Sequence, residues 1–497
     1  MGLEELRSNE RRARELLDRT WTMLIGGRMV EAVGGNGYDT INPATGETLA
    51  RVPLAQKEDV DRAVSAALDA LDGWRLTSVR DRVKYVREFI AVLENHAEEL
   101  ALMDSINSGN PLRNMVNDVQ LAVDNLHYLC GAAMELKGST IPSTAHNWHL
   151  TRREPYGVVG RIIAFNHPIL FAASKIGAPI LAGNTLVLKV PDQTPLAPLW
   201  MAHLIRDVFP PGVVNIISGT GPVTGDALVR HPQVKRLSLI GSVETGRRIQ
   251  HAAAETGIKH VSLELGGKNP MIVYPDADLE AAVQGAVTGM NFTWQGQSCG
   301  STSRLFLHRD IHDAFVGRLK ERVESIRVGH PLDPDTEMGC VVSAAQYEKV
   351  KRYIRLGLEE GARCLTGGGA PEDEALKRGY FIRPTVFTEV TMRMRIAREE
   401  IFGPVLSVLR WEDEEEVIRQ ANEVEYGLTA SVWTRDLNTA LRAADRLQAG
   451  FVWINGSSRH FPGVPFSGQK SSGVDSEEGI EELYSFTQNK SINIMME

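Results

Sequence analysis

Three side chains in this sequence are of types that can carry acyl chemistry: Cys299, Glu264 and Asn166. Cys299 lies in Trp294-Gln295-Gly296-Gln297-Ser298-Cys299-Gly300, where glycines and small polar residues predict an accessible turn. A thiol ionises near pH ~8.5, so at neutral pH only a few per cent is thiolate, yet that fraction is a strong nucleophile. An inert free cysteine fits the same segment. Glu264 closes the apolar run Val261-Ser262-Leu263-Glu264 and precedes Leu265-Gly266-Gly267-Lys268. Partly desolvated at a strand end, its carboxyl would titrate high and could serve as a general base. A strand-terminal glutamate paired with Lys268 is the other reading. Asn166, in Phe165-Asn166-His167-Pro168, could donate to a developing oxyanion or simply form a turn before proline.

Two glycine clusters could approach phosphates. Gly241-Ser242-Val243-Glu244-Thr245-Gly246 follows the apolar run RLSLI and opens a helical stretch, so Ser242 would cap a helix whose amides face a pyrophosphate. Gly219-Thr220-Gly221-Pro222-Val223-Thr224-Gly225 is a looser version of the same signal. Turns need glycine in any case, so neither cluster is specific alone.

The elements that must position these groups follow an α/β pattern. VVGRIIA, NTLVLKV, VVNII, RLSLI and HVSLE alternate with helical stretches, predicting parallel strands covered on both faces. A second alternation runs from MIVY to VWIN. The predicted fold class is α/β: a Rossmann-like dinucleotide-binding domain, a second α/β catalytic domain and a small β-arm for oligomerisation. The expected boundaries are 1–136 with 156–263 for the first, 264–475 for the second, and 137–155 with 476–497 for the arm.

With 54 basic against 63 acidic residues, the chain offers no electrostatic footprint for nucleic acid. Its longest apolar region is interrupted by Arg161, His167 and Lys175, so no membrane segment is expected. The acidic residues of the first helix-like stretch argue against a targeting leader, and a cytoplasmic location is expected. The four cysteines lack CxxC spacing, and the isolated His146 and His149 read as a surface loop, so no metal site is expected.

Taken together, these segments resemble the aldehyde dehydrogenase superfamily. The likeness spans almost the whole chain, through INPATGE from Ile41, LKVPDQTP from Leu188, EEIFGPV from Glu399, YGLTASVWTRDL from Tyr426 and PFSGQKSSG from Pro465. It implies oxidation of a small-molecule aldehyde to the acid, with NAD as cofactor and NADP left open. Cys299 would form the thioester, Asn166 would hold the oxyanion, and Glu264 would activate the water that releases the acid. The CoA-acylating branch typically lacks that glutamate, so hydrolytic release is implied; a catalytically silent relative is the rival from another class. The resemblance assigns cofactor contacts to Lys189, Asp192, Gly225, Gly241, Ser242, Leu265, Gln346, Glu400 and Phe402. It implies a homodimer or homotetramer.

This chain departs from the family pattern in places. Asp192 stands where glutamate is commoner, Trp294 where asparagine is, and Val243 where threonine is. Matching of positions places His167, Leu170, Ser174, Thr293, His460 and Phe466 along the substrate funnel, replacing several aromatic residues. A polar or aromatic-polar aldehyde is therefore expected over a long alkyl one.

Overall fold

The five apolar segments marked as strands form the parallel centre of an eight-stranded sheet, in the order Val214–Ile217, Thr185–Lys189, Val158–Ile162, Val234–Ile240, His260–Glu264. Antiparallel strands close its edges: Met23–Ile25 with Arg28–Val30 on one side, Gly473–Val474 on the other. This computed structural model describes residues 2–496, so positions 1 and 497 of the expected outer segments lie outside the described residues. Residues of Thr185–Lys189 are buried throughout. Val187 joins one apolar core with Val60 and Ile249, while Leu186 and Leu188 join another with Phe89 and Ile176. Successive side chains of a strand point to opposite faces, so helices on both faces require such a run to be apolar throughout.

From Val158–Ile162 the chain steps to Thr185–Lys189 and Val214–Ile217 on one side, then returns to Val234–Ile240 on the other. That reversal opens a crevice beyond the carboxyl ends of the strands, the usual ligand position in open α/β sheets. Two helices that precede this sheet, Val79–Asn95 and Ala97–Ser108, meet at His96.

The second sheet has seven strands, with Pro270–Val273, Arg304–His308, Val405–Trp411 and Thr429–Trp433 at its centre. All its pairings are parallel except Arg363–Thr366 with Thr385–Thr388. A third sheet pairs Thr487–Met495 with Asn147–Pro155, which in turn pairs with Thr140–Thr144. His146 sits in its turn, and His149 on its strand bonds Asn493.

The expected arm was to resume at 476, but residues 476–486 pack against the first sheet. Arg161, buried on the strand Val158–Ile162, bonds both Glu477 and Glu482, and Lys175 lies 2.9 Å from Glu477. Phe486 is held between the Arg161 and Arg236 guanidiniums, at 5.0 and 4.8 Å. Buried carboxylates of this kind need such partners, since an unpaired buried charge is costly.

Candidate active site

Cys299 is presented by a loop whose shape depends on left-handed residues, Asn291 (φ 55°), Gln295 (φ 53°) and Gly296 (φ 65°). A Cβ on Gly296 would sit 2.2 Å from the Gly403 carbonyl, so only glycine fits there. Asn269 clamps the loop from below. Its amide donates to the Cys299 and Ser301 carbonyls at 2.7 and 3.0 Å, and its oxygen accepts from the Thr429 amide. Burial pushes the Cys299 thiol up to about 12, with the Glu264, Glu400 and Glu478 carboxylates adding to the effect.

Glu264 ends the strand His260–Glu264 and is itself buried, and neither carboxylate oxygen has a hydrogen-bond partner among the described residues. Burial first, and Glu477 second, hold its pKa well above the ordinary carboxylate range. Lys268 does not pair with it: the Lys268 ammonium is also without a partner among the described residues, and burial lowers its pKa to about 7. The strand-terminal ion pair is therefore absent, and what remains is a carboxyl group poised to take a proton. Asn166 is buried at the carboxyl end of Val158–Ile162, its carbonyl accepting from Asn110 at 3.0 Å.

Two cavities meet at this point, and Ile240, Glu264 and Cys299 line both. The first, a cleft of about 350 Å³, occupies the crevice at the strand reversal and reaches Asn166, Lys189, Asp192, Gly241, Ser242, Leu265, Gln346, Glu400 and Phe402. Ser242 caps the helix Val243–Thr256, its oxygen accepting from the Thr245 amide. Lys189 pairs with Asp192, whose other oxygen accepts from the Gly221 amide at 3.0 Å. Glu400 accepts from the Gly267 amide at 2.9 Å, and a Cβ on Gly266 would come within 2.2 Å of its carboxylate. The double glycine after Glu264 is thus the space that Glu400 occupies. Gln346 donates to the Ile401 and Phe402 carbonyls, fixing the left-handed Phe402 (φ 55°) against Phe165.

One expected cofactor residue is not brought in: Gly225 is buried in the turn Gly221–Gly225, and Gly221 faces the cleft instead. Lys349 also lines the cleft and was not expected. It lies three residues beyond Gln346 on the helix Ala344–Glu359, a spacing that puts both on one face and was the available signal. A helix N-terminus, a buried ammonium and a buried carboxylate with one amide partner are the donor set that a dinucleotide's phosphates and ribose hydroxyls require. Among the described residues, no cluster of three or more His, Cys, Asp or Glu side chains could hold a metal ion.

The second cavity, about 140 Å³, lies on the other side of Cys299. His167, Leu170, His460 and Phe466 line it as expected, whereas Ser174 and Thr293 do not. The Ser174 hydroxyl turns back along its helix to the Leu170 carbonyl at 2.6 Å, and the Thr293 carbonyl is held by Asn114. Phe171, Trp294, Asp118 and Glu478 line it and were missed. Phe171 was legible as one turn beyond His167; Asp118 and Glu478 come from remote segments and had no local signal.

The chain matches the model of the aldehyde dehydrogenase family over residues 29–492. It is 48% identical over 463 residues to aldehyde dehydrogenase tropH of Talaromyces stipitatus, covering 92% of this chain and 90% of that protein. Among solved structures, it resembles the NAD+ complex of an aldehyde dehydrogenase from Bacillus cereus (TM-score 0.94, 40% identity, 97% and 98% of the two chains covered). It also resembles betaine aldehyde dehydrogenase from Staphylococcus aureus in complex with NAD+ (TM-score 0.95, 36% identity, 98% and 97% covered).

Proposed function

Since the chain belongs to the aldehyde dehydrogenase family, we propose that it oxidises a small-molecule aldehyde to the carboxylic acid with NAD, through a thioester on Cys299 hydrolysed with Glu264 as general base. The observation that carries this reading is the junction of two cavities at Cys299 and Glu264, one with a dinucleotide's donor set and one apolar and polar in turn. Once the thiol proton has passed to solvent, Sγ of Cys299 attacks the carbonyl carbon as thiolate, forming the C–S bond while the π pair moves to oxygen. The Asn166 side-chain amide and the Cys299 backbone N–H are assigned to that oxyanion, since both residues line the same cleft. When bound, NAD supplies the hydride acceptor. Loss of hydride from the carbon leaves the acyl group on Cys299. Glu264 takes a proton from water, the water oxygen bonds the acyl carbon, and Sγ departs as thiolate with release of the acid.

The same reading assigns Lys189 and Asp192 to the adenosine ribose, Ser242 and Gly241 to the phosphates, and Glu400 to the nicotinamide ribose, with Leu265, Gln346 and Phe402 shaping the cleft. Residues 137–155 and 487–495 form the oligomerisation arm of a homodimer or homotetramer, since their three-stranded sheet exposes Ile141, Trp148, Ile494 and Met495. A cytoplasmic location fits a fold in which no described helix is long and apolar enough to cross a membrane. The test is formation of reduced nicotinamide from a panel of aldehydes without CoA. Steady turnover supports the reading; a strict requirement for CoA, or no turnover with NAD or NADP, refutes it.

A further inference from the structure

This inference rests on the reading of the second cavity as the aldehyde site, and concerns which aldehyde it takes. Beside Glu264 and Cys299, the cavity walls carry six charged or titratable side chains, and each already has a partner. Asp118 Oδ2 lies 2.8 Å from His167 Nδ1, Glu478 Oε2 lies 2.9 Å from His460 Nδ1, and Glu477 Oε2 lies 2.9 Å from Lys175 Nζ. Glu264 is the remaining carboxyl, and burial holds its pKa well above the ordinary carboxylate range. An anionic substrate meets no unpaired cation among the described residues, and burying a charge without one is unfavourable. An anionic occupant is therefore disfavoured.

Size and shape narrow it further. A cavity of about 140 Å³ matches the roughly 150 Å³ that an engineered apolar cavity offers to benzene. One wall is aromatic: the His167 ring sits 5.5 Å from Phe171 at 63° and 5.4 Å from Trp294 at 38°. Phe466, against the His460 ring at 4.8 Å, forms another. The polar element in the first wall is unusually well held. Asp118, on the helix Leu112–Ala132, is fully buried and fixes the His167 ring through Nδ1. In the neutral ring with Nδ1–H donating to that carboxylate, Nε2 is left as a hydrogen-bond acceptor. Buried Asp118 thus acts as a positioning residue for an acceptor in an aromatic slot.

We propose that the site selects a neutral, single-ring aromatic aldehyde bearing a ring hydroxyl, whose O–H donates to Nε2 of His167 while the aldehyde carbon faces Cys299. The test is kcat/KM with NAD for benzaldehyde, its three monohydroxy isomers, hexanal, succinic semialdehyde and a quaternary-ammonium aldehyde. In the native protein the best hydroxy isomer should exceed benzaldehyde by about tenfold, the scale of one hydrogen bond made in a desolvated pocket. In His167→Phe, which keeps the aromatic wall, kcat/KM should fall about tenfold more for the hydroxy isomer than for benzaldehyde, bringing that ratio to about one. His167→Gln, which retains an acceptor, should keep part of the preference. A ratio of one or below for every isomer, a ratio unaltered in His167→Phe, or preference for either charged aldehyde overturns the proposal. Oxidation of benzaldehyde or hexanal without hydroxyl preference overturns this inference alone. No oxidation of any aldehyde removes the aldehyde-oxidation reading and this with it.

Discussion

Replacing Glu264 by glutamine isolates the step in which water enters. Neither carboxylate oxygen of Glu264 has a hydrogen-bond partner among the described residues, so the isosteric amide breaks no internal bond. It cannot, however, take a proton from water. General-base catalysis contributes about 10²–10⁴ in rate, equivalent to roughly 2.7–5.4 kcal/mol at ~1.36 kcal/mol per tenfold. Cys299, Asn166 and the clamp from Asn269 are untouched, so acylation should survive while deacylation stalls. Rapid-mixing absorbance of reduced nicotinamide should therefore show one equivalent per site formed quickly, then turnover slowed by that factor. The pH dependence gives a second readout. The folded-state pKa of Glu264 is raised, so native turnover should climb as pH rises through it, and the variant should lose that climb. For stability the sign is opposite. A raised carboxyl pKa withdraws stability as pH rises from the unfolded value up to the folded one, so Glu264→Gln should match the native Tm in acid and exceed it in alkali. Undiminished steady turnover in the variant would remove Glu264 from the mechanism. Loss of the burst with an unchanged Tm would place it in acylation instead.

Two further outcomes follow from the cleft and the thiol. Asp192→Ala takes a negative charge from the cleft mouth beside Lys189, so the ratio of kcat/KM with NADP to that with NAD should rise by about tenfold; an unchanged ratio would mean Asp192 does not read the ribose. Because burial pushes the Cys299 thiol up to about 12, its alkylation by iodoacetamide in the cofactor-free protein should be slow at neutral pH and accelerate in alkali, as peptide mapping would show. Rapid labelling at neutral pH would contradict the burial argument.

The parallel centre of the first sheet was legible because strands buried on both faces must be apolar throughout, and segments such as NTLVLKV are. Glu264, Cys299 and Ser242 were legible for the opposite reason: polar or reactive groups at strand ends and glycine turns interrupt that pattern. Ser174 was misplaced because matching a position says nothing of rotamer, and its hydroxyl turns back to the Leu170 carbonyl. Asp118 and Glu478 could not be read at all, since what makes them part of the site is contact with His167 and His460 across 49 and 18 residues of chain. The packing of residues 476–486 on the first sheet had no local signal, because the partners of Glu477 and Glu482 lie more than 300 residues away in the chain. Only the burial of Arg161 on a central strand shows where their partners lie.

The residues from 473 to 495 do several jobs in quick succession: sheet edge at Gly473–Val474, cavity wall at Glu477 and Glu478, packing helix at Ile480–Ser485, and arm strand at Thr487–Met495. The same short tether therefore joins the surface available for assembly to the pocket that chooses the substrate. Trimming the chain back to 476, or fusing a partner that pulls the last strand from Asn147–Pro155, would tug directly on the wall holding His460. Anyone tagging this protein for purification or immobilisation should expect the carboxyl terminus to report on selectivity as well as on assembly, and should choose the other end.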